Sequence, residues 1–406
     1  MSILRSLRVA SVAAIVMLVA VADVHAQTAT VDDTAKFLAG MMPSADSPLM
    51  PLTQEAAWQR HAKFFDSAFG QLEQRQISRI RAWADANLAA PKPVMFYMFS
   101  GPDFLYANAF HARASTYVLS ALEPVGAVPD LTKLSRGGIA SALYNVERSL
   151  ESILSFSFFI TKDMKTDLQS GQISGTLPVL YVFLARSGMT IKSVGPVALD
   201  DKGAAYIAGE NPGPKAVRGV RIVFAGGDGQ DKTLYYFSTD LSNSGVKASG
   251  FLKFCETLGP GNSLIKSASY LLHSGNFSTV RSFLLNNSAS IIQDDSGIPL
   301  GYFNTKKWRF FPFGRYLGPI DKFPGLYQPS YAELFRRAQP VDFGIGYRWR
   351  THETNVLLAV KLPDDGADAT ASAESATPPP PPRPPKPRAP AYIGSRPLPD
   401  FWPFWR

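Results

Sequence analysis

The run Phe99-Ser100-Gly101-Pro102-Asp103-Phe104-Leu105-Tyr106 sets a hydroxyl and a carboxylate within one turn of chain, and a second carboxylate, Glu123, follows. Hydroxyls and carboxylates at such spacing can hold a polar ligand, or two carboxylates can act as acid and base if their surroundings separate their pKa values. Ser100, Asp103 and Glu123 are therefore candidate ligand-binding residues. The structural alternative is plain: Asp103 stabilises a helix start and Ser100 caps it. A second acidic group, Asp294-Asp295 in Gln293-Asp294-Asp295-Ser296-Gly297-Ile298-Pro299, makes Asp294 a third candidate acid or base beside Asp103 and Glu123. Two other boxes, Asp200-Asp201-Lys202-Gly203 and Gly226-Gly227-Asp228-Gly229-Gln230-Asp231, have similar composition. All three sit between strand-like runs, and Asp and Gly are what tight turns require, so hairpin turns are the simpler expectation for each.

Other chemistries find no pattern. The glycine spacing G-x-G-x-x-G is absent, so no dinucleotide cofactor is predicted, although Glu123 stands where a ribose-binding acid would. His61, His111, His273 and His352 are not paired at helical spacing, so no metal site is predicted. No G-x-S-x-G elbow supports a serine hydrolase. His273 reads as a favourable charge at a helix end. The single cysteine, Cys255, lies among Phe251, Leu252 and Phe254 and reads as a buried, inert thiol. Trp308-Arg309-Phe310-Phe311-Pro312-Phe313-Gly314-Arg315-Tyr316 could stack on sugars, but a strand with aromatics inward and Arg outward accounts for it.

The elements that must position these residues follow from periodicity. Thr53–Ala89 has helical spacing and stops at Pro91 and Pro93. Val94–Phe99 and Thr116–Leu122 are short apolar runs of strand length, with a helix opened by Pro102 between them. If these strands pair in parallel through a right-handed crossover, Ser100, Asp103 and Glu123 share the edge beyond their carboxyl ends, where open α/β sheets bind ligands. Asp130 is expected to cap a long helix to about Gln169, with Gly137-Gly138 a place to break it. Leu177–Arg186, Gly250–Leu258 and Phe277–Asn286 read as helices. Thr190–Leu199, Val217–Ala225, Thr233–Thr239, Ile291–Gln293, Leu300–Phe303, Trp308–Tyr316, Gly344–Arg350 and Val356–Leu362 read as strands. This alternation predicts an α/β fold, helices packed on a mixed sheet, with α+β as the alternative.

The chain divides by composition. Residues 1–26 read as a secretory signal peptide: Arg5 and Arg8, the apolar run Val9–Val21, and cleavage after Ala26. That run is too short to span a membrane, so no transmembrane span is expected in the mature chain. Residues 27–44 read as a loose lead, and 45–362 as one α/β domain, a division near residue 188 being the alternative. Residues 363–377 have linker composition, and 378–406 form a basic, proline-rich and aromatic tail with nine prolines between 378 and 390. That tail is expected to be disordered. The net charge of +8 resides largely there, with +4 in 378–406, so the body carries no basic stripe and no nucleic-acid partner is expected. A hydrophobic content of 46% excludes a disordered chain, and one cysteine excludes a disulfide scaffold.

The runs Phe99–Tyr106, Tyr117-Val118-Leu119-Ser120-Ala121-Leu122-Glu123-Pro124-Val125-Gly126 and Gln293–Pro299 resemble those of a family of exported bacterial proteins of unknown function. The resemblance covers the body and not the tail, and implies no activity, cofactor or catalytic residue. The expectation from sequence is a periplasmic or secreted bacterial protein. Its body would bind a ligand, and its tail, 378–406, would meet an envelope polymer or protein partner. An envelope hydrolase acting on a glycan or ester through paired carboxylates is the alternative.

Overall fold

The computed structural model describes residues 28–88, 90–159, 173–207, 213 and 216–363. The predicted signal peptide and tail lie outside the described residues, as does the end of the long helix expected to reach Gln169. The first described element is already part of the core. Thr30 caps helix α1 (Val31–Leu38) by accepting from the Asp33 amide, and Phe37 and Leu38 are fully buried. Asp33 then accepts from both the Ser44 amide and hydroxyl, which fixes the chain after the helix. The loose lead expected over 27–44 is thus replaced from residue 31 by a packed helix. Its apolar residues are too few for the pattern to show, and they are buried by distant elements.

Helix α2 (Ala56–Leu72) passes through a π-turn at Glu73–Ile77 into α3 (Ser78–Asn87). Its buried positions Trp58, His61, Phe65, Phe69 and Leu72 recur at helical spacing. Strand β1 (Val94–Met98), α4 (Phe104–Phe110) and β2 (Thr116–Ala121) follow, and β2 pairs with β1 in parallel. Asp130 caps only a single turn, Leu131–Lys133; Ser135 caps the long helix α5 (Arg136–Ser155). Gly137 and Gly138 lie in its first turn and do not divide it. Helix α6 (Leu177–Arg186) is buried over nearly its whole length.

The second half adds β3 (Thr190–Leu199), β4 (Ala205–Ile207), β5 (Val217–Ala225) and β6 (Asp231–Ser238). Asp200–Gly203 and Gly226–Gln230 connect antiparallel neighbours, as expected of tight turns. Helices α7 (Asn243–Ala248) and α8 (Phe251–Thr257) precede β7 (Gly261–Ile265), and α9 (Ser278–Asn287) precedes β8 (Ser288–Gln293). Strand β9 (Trp308–Gly314), α10 (Pro329–Phe335) and β10 (Asn355–Lys361) complete the described fold. Two expected strands are absent. Leu300–Tyr302 is a single helical turn behind Pro299, and Gly346–Arg348 another. The latter turn packs against Asp294 so closely that a Cβ on Gly346 would stand 1.9 Å from its carboxylate, a place for glycine alone.

The ten described strands form one mixed sheet in the order β4-β3-β5-β6-β2-β1-β7-β8-β10-β9. The middle five, β6, β2, β1, β7 and β8, are parallel; the flanking strands are antiparallel. Helices cover both faces, which makes this an α/β fold. Strand β1 sends Met95 and Tyr97 into the core shared with α1–α6, and Val94, Phe96 and Met98 into the core shared with α7–α9. This is the period-two alternation of a sheet buried on both sides. Each fully buried side chain such as Phe96 or Leu119 contributes about 1.5–3 kcal/mol by leaving water.

Candidate functional site

Strand β1 is where the winding reverses. The chain leaves β1 for β2 on one side, and β7 later adds on the other. The loops after β1 and β7 therefore part at their carboxyl ends and leave a crevice, the general place for ligands in open α/β sheets.

Both loops are held in conformations that side chains rarely adopt. After β1, Phe99 has φ 62° and Gly101 φ 58°. After β7, Ser267, Ser269 and Tyr270 have φ of 53°, 51° and 55°. A non-glycine residue there costs on the order of 1 kcal/mol or more, and such residues concentrate at functional sites. The surroundings hold them in place. Phe99 packs on Phe277, with ring centroids 5.8 Å apart. The Ser267 amide donates to Asp294 Oδ2 at 3.0 Å, and the Ala268 amide to Ser296 Oγ at 2.8 Å. The Tyr347 hydroxyl donates to the Ser267 carbonyl at 3.0 Å.

Between the loops lies a buried ion pair. Lys266 Nζ is 3.1 Å from Asp103 Oδ2, and both side chains are only 2% exposed. Asp103 also accepts from the Tyr97 hydroxyl at 2.9 Å and the Tyr106 amide at 3.1 Å. Asp103 is thus the residue preceding α4, its cap, rather than a member of the first turn, and Ser100 does not cap. The Ser100 hydroxyl instead donates to the Gly101 carbonyl at 2.8 Å, and its amide to Ser120 across to β2. Lys266 sits 4.0 Å from the centre of the Tyr106 ring and donates to the Ser157 carbonyl. Burial, and then the Asp103 charge, raise the pKa values of Tyr97 and Tyr106 far above the ordinary range, so both stay neutral hydroxyls.

Glu123 enters from the end of β2. It is buried, and its carbonyl accepts from the Tyr236 hydroxyl at 2.8 Å. Ser100, Asp103, Glu123, Lys266 and Ser267 line one crevice of about 70 Å³, with Phe158 and Phe159 on its wall. The Ser267 hydroxyl is buried there without a hydrogen-bond partner among the described residues. A larger groove of about 370 Å³ runs between α2 and α5, beside Phe64 and Tyr144. It is lined by none of the left-handed residues, and its Glu147 contacts the buried His61 at 2.7 Å.

Asp294 and Asp295 are not in a hairpin turn. Strand β8 lies between β7 and β10, and the two acids are buried behind the β7 loop. Asp294 accepts from the Ser267 and Ser296 amides; Asp295 accepts from Asn355 Nδ2 at 3.0 Å and the Tyr270 hydroxyl at 2.8 Å. Burial, and then the neighbouring Asp295 charge, push Asp294 up to about 6. These acids brace the loop that carries Ser267 and Tyr270. His273 also departs from its expected role. Burial pulls its pKa down to about 4, so it is neutral and brings no charge to a helix end. Cys255 is buried, and burial raises its pKa well above the ordinary thiol value. Strand β9 buries Trp308 and Phe313 and leaves Arg309 exposed. No group of three metal-ligating side chains converges among the described residues.

The structure thus brings Ser100, Asp103 and Glu123 to one crevice and places Asp294 behind it. Sequence reasoning missed Lys266, Ser267 and Tyr97. The trace of Lys266 was a lone cation closing the run Ser263-Leu264-Ile265. Comparison with protein-family models, with curated proteins and with solved structures gives no significant match.

Proposed function

We propose that this chain is an exported bacterial binding protein that holds a small polar ligand in the crevice between the β1 and β7 loops. The observation that carries this reading is the coincidence, at the reversal point of the sheet, of a buried Asp103–Lys266 pair with four strained non-glycine residues. A fold gains nothing in stability from such strain, so its presence at the ligand edge supports a site. The resemblance to exported proteins of unknown function and the signal-like residues 1–26 support export to the periplasm or medium. Helix α1 opens at Val31, so cleavage after Ala26 would leave every described element whole. The basic tail, 378–406, would tether the protein to an envelope polymer or partner. No described helix is long and apolar enough to cross a membrane.

The hydrolase reading has less support. Both Asp103 oxygens already accept from protein donors, and both Asp294 oxygens face the Ser267 and Ser296 donors. Both oxygens of each of these two carboxylates are thus engaged by protein donors. The binding reading is tested by thermal unfolding of the mature protein against a panel of monosaccharides, nucleosides, amino acids, polyamines and dicarboxylates. At least one compound should raise the midpoint, and Ser100→Leu, whose added carbons would occupy the crevice, should abolish the rise. A panel without effect, or a rise that persists in Ser100→Leu, would sink the reading.

A further inference from the structure

We propose that a groove between α2 and α4 is a second binding site, and that it takes a short zwitterionic peptide of about three residues. The site stands independently of the crevice, since the two share no lining residue.

The groove holds about 350 Å³, within the range of small-ligand sites. Its floor is apolar: Phe69, Leu72 and Ile77 on one side and Leu105 of α4 on the other are all buried. Asn108 joins them and is only 6% exposed. The rim carries both signs of charge. Asp66 pairs with Arg186, Oδ1 to Nη1 at 2.6 Å, and Glu73 pairs with Arg81. An apolar floor under a few polar groups is how small-molecule sites are built.

The backbone of α2 points the same way. Asp66, Gly70 and Glu73 fall at i, i+4 and i+7, so they share one stripe of helix, with the two acids about 10 Å apart. Glycine weakens a helix interior relative to alanine. At Gly70 packing does not call for it: a Cβ there would meet nothing within 4 Å beyond its own turn of helix. What the glycine does is leave bare backbone midway between the two ion pairs, where a ligand chain can approach closely. The helix then makes its π-turn over Glu73–Ile77, a rare geometry that gathers at functional sites. The turn seats Gln76 inside, where it donates to the Gly344 carbonyl at 2.7 Å and accepts from the Tyr106 hydroxyl at 2.6 Å. Glu73 stays on the rim.

The charges select the ligand. Asp66, Glu73, Arg81 and Arg186 sum to zero, so a zwitterion leaves every charge balanced and an ion of one sign does not. Partly exposed pairs are held weakly and exchange partners at little cost; Glu73 is 44% exposed, Arg81 42% and Asp66 68%. Arg186 is the exception, 11% exposed, and its Nη2 is buried without a hydrogen-bond partner among the described residues. That leaves a guanidinium donor in reserve for a carboxylate. The ligand carboxylate therefore goes to Arg186 and its ammonium to Glu73. The span of about 10 Å between the two pairs is the length of about three extended residues, too long for one amino acid. The main chain crosses Gly70, and the middle side chain enters the apolar floor.

The experiment is thermal unfolding of the mature chain with Ala-Leu-Ala, its N-acetyl form, its C-terminal amide and free leucine at millimolar concentration. Ala-Leu-Ala should raise the midpoint by a few degrees, and the two blocked peptides and leucine should give little of that rise. Gly70→Leu, whose side chain has open space to fill, should melt no lower than wild type and lose the response. Ser100→Leu, in the crevice, should keep it. Glu73→Gln should respond alike to Ala-Leu-Ala and its N-acetyl form. No rise with Ala-Leu-Ala, an equal rise with either blocked peptide or with leucine, or a Gly70→Leu chain that still responds would overturn the proposal. A response lost in Ser100→Leu but kept in Gly70→Leu would place the peptide in the crevice and overturn the second site alone. If Gly70→Leu fails to fold, Glu73→Gln decides: a preference for the free amine that survives in it overturns the assignment.

Discussion

At the scale of single residues, the Asp103–Lys266 pair decides how much of the crevice is structural. Removing one member of a buried pair strands the other, and costs about 3–5 kcal/mol. Lys266→Met should therefore lower stability in denaturant by that amount. The double variant Lys266→Met with Asp103→Asn should recover a large part, because asparagine keeps the cap of α4 and carries no charge. A single variant no less stable than the double would mean that the pair is not a coupled unit. Asp294 gives a prediction in pH. Its folded pKa, about 6, exceeds the unfolded value near 4, so the folded state binds the extra proton between those values. Its contribution to stability is present at low pH and is lost as pH rises through about 6. His111 and His273 work the other way: burial holds both down to about 4, so the unfolded state takes their protons first and stability falls on acidification below about 6.5. Asp294→Asn removes only the opposing contribution. Its loss of stability from pH 6 to pH 4 should be steeper than that of wild type, by on the order of 1–2 kcal/mol; parallel curves would refute the assignment. Ser100, Asp103 and Glu123 were legible at this scale because they follow strands directly in sequence. Lys266 was not, since its partner is far away in the chain and a lone lysine after an apolar run has no periodicity to betray it.

At the scale of elements, the β7 loop is where local preference and fold disagree. Ser267 holds a left-handed conformation while its hydroxyl finds no partner, so its side chain contributes strain without a bond to offset it. Ser267→Gly should raise stability by about 0.5–1 kcal/mol, the left-handed penalty less the extra freedom glycine gives the unfolded chain. Equilibrium unfolding checks this, and a destabilised variant would show that the hydroxyl is bonded in solution. Strand β7 itself escaped the sequence pattern for a related reason. Gly261, Asn262 and Ser263 form no apolar run, yet all three are buried, because Ser263 meets Ser288 at 2.7 Å and Asn262 accepts from Ser290 at 2.9 Å. Polar residues enter a parallel sheet when the neighbouring strand satisfies them, and that neighbour is not visible locally. Strands β1, β2 and β6 were legible, since their apolar runs end at turn residues. The expected strand over Gly344–Arg350 failed because Gly344 and Gly346 mark close backbone approach instead: a Cβ on Gly344 would meet the Trp349 carbonyl at 1.8 Å.

At the scale of the whole molecule, alternating helices and strands were enough to predict an α/β fold, whereas the strand order was not, because it depends on pairings such as β1 with β7 across more than half of the domain. Charge is distributed on this scale too. Half of the net +8 lies in residues 378–406, followed in the same segment by Phe401, Trp402, Phe404 and Trp405. The domain ends its last strand at Lys361, whose ammonium donates to the Leu285 and Asn286 carbonyls and anchors β10 to the end of α9. Cutting after Pro363 therefore removes the proposed tether and leaves every described element intact. Cationic segments meet anionic polymer or lipid through attraction that salt screens within about 10 Å at 0.1 M, while aromatic contacts survive salt. In fractionated cells, the full chain should accompany envelope material, molar salt should release part of it, and the chain ending at Pro363 should stay in the soluble fraction. Replacing Phe401, Trp402, Phe404 and Trp405 by serine should make the remaining association fully salt-sensitive. A truncated chain distributed like the full one would place the tether, if there is one, in the domain and remove the tail from the proposal.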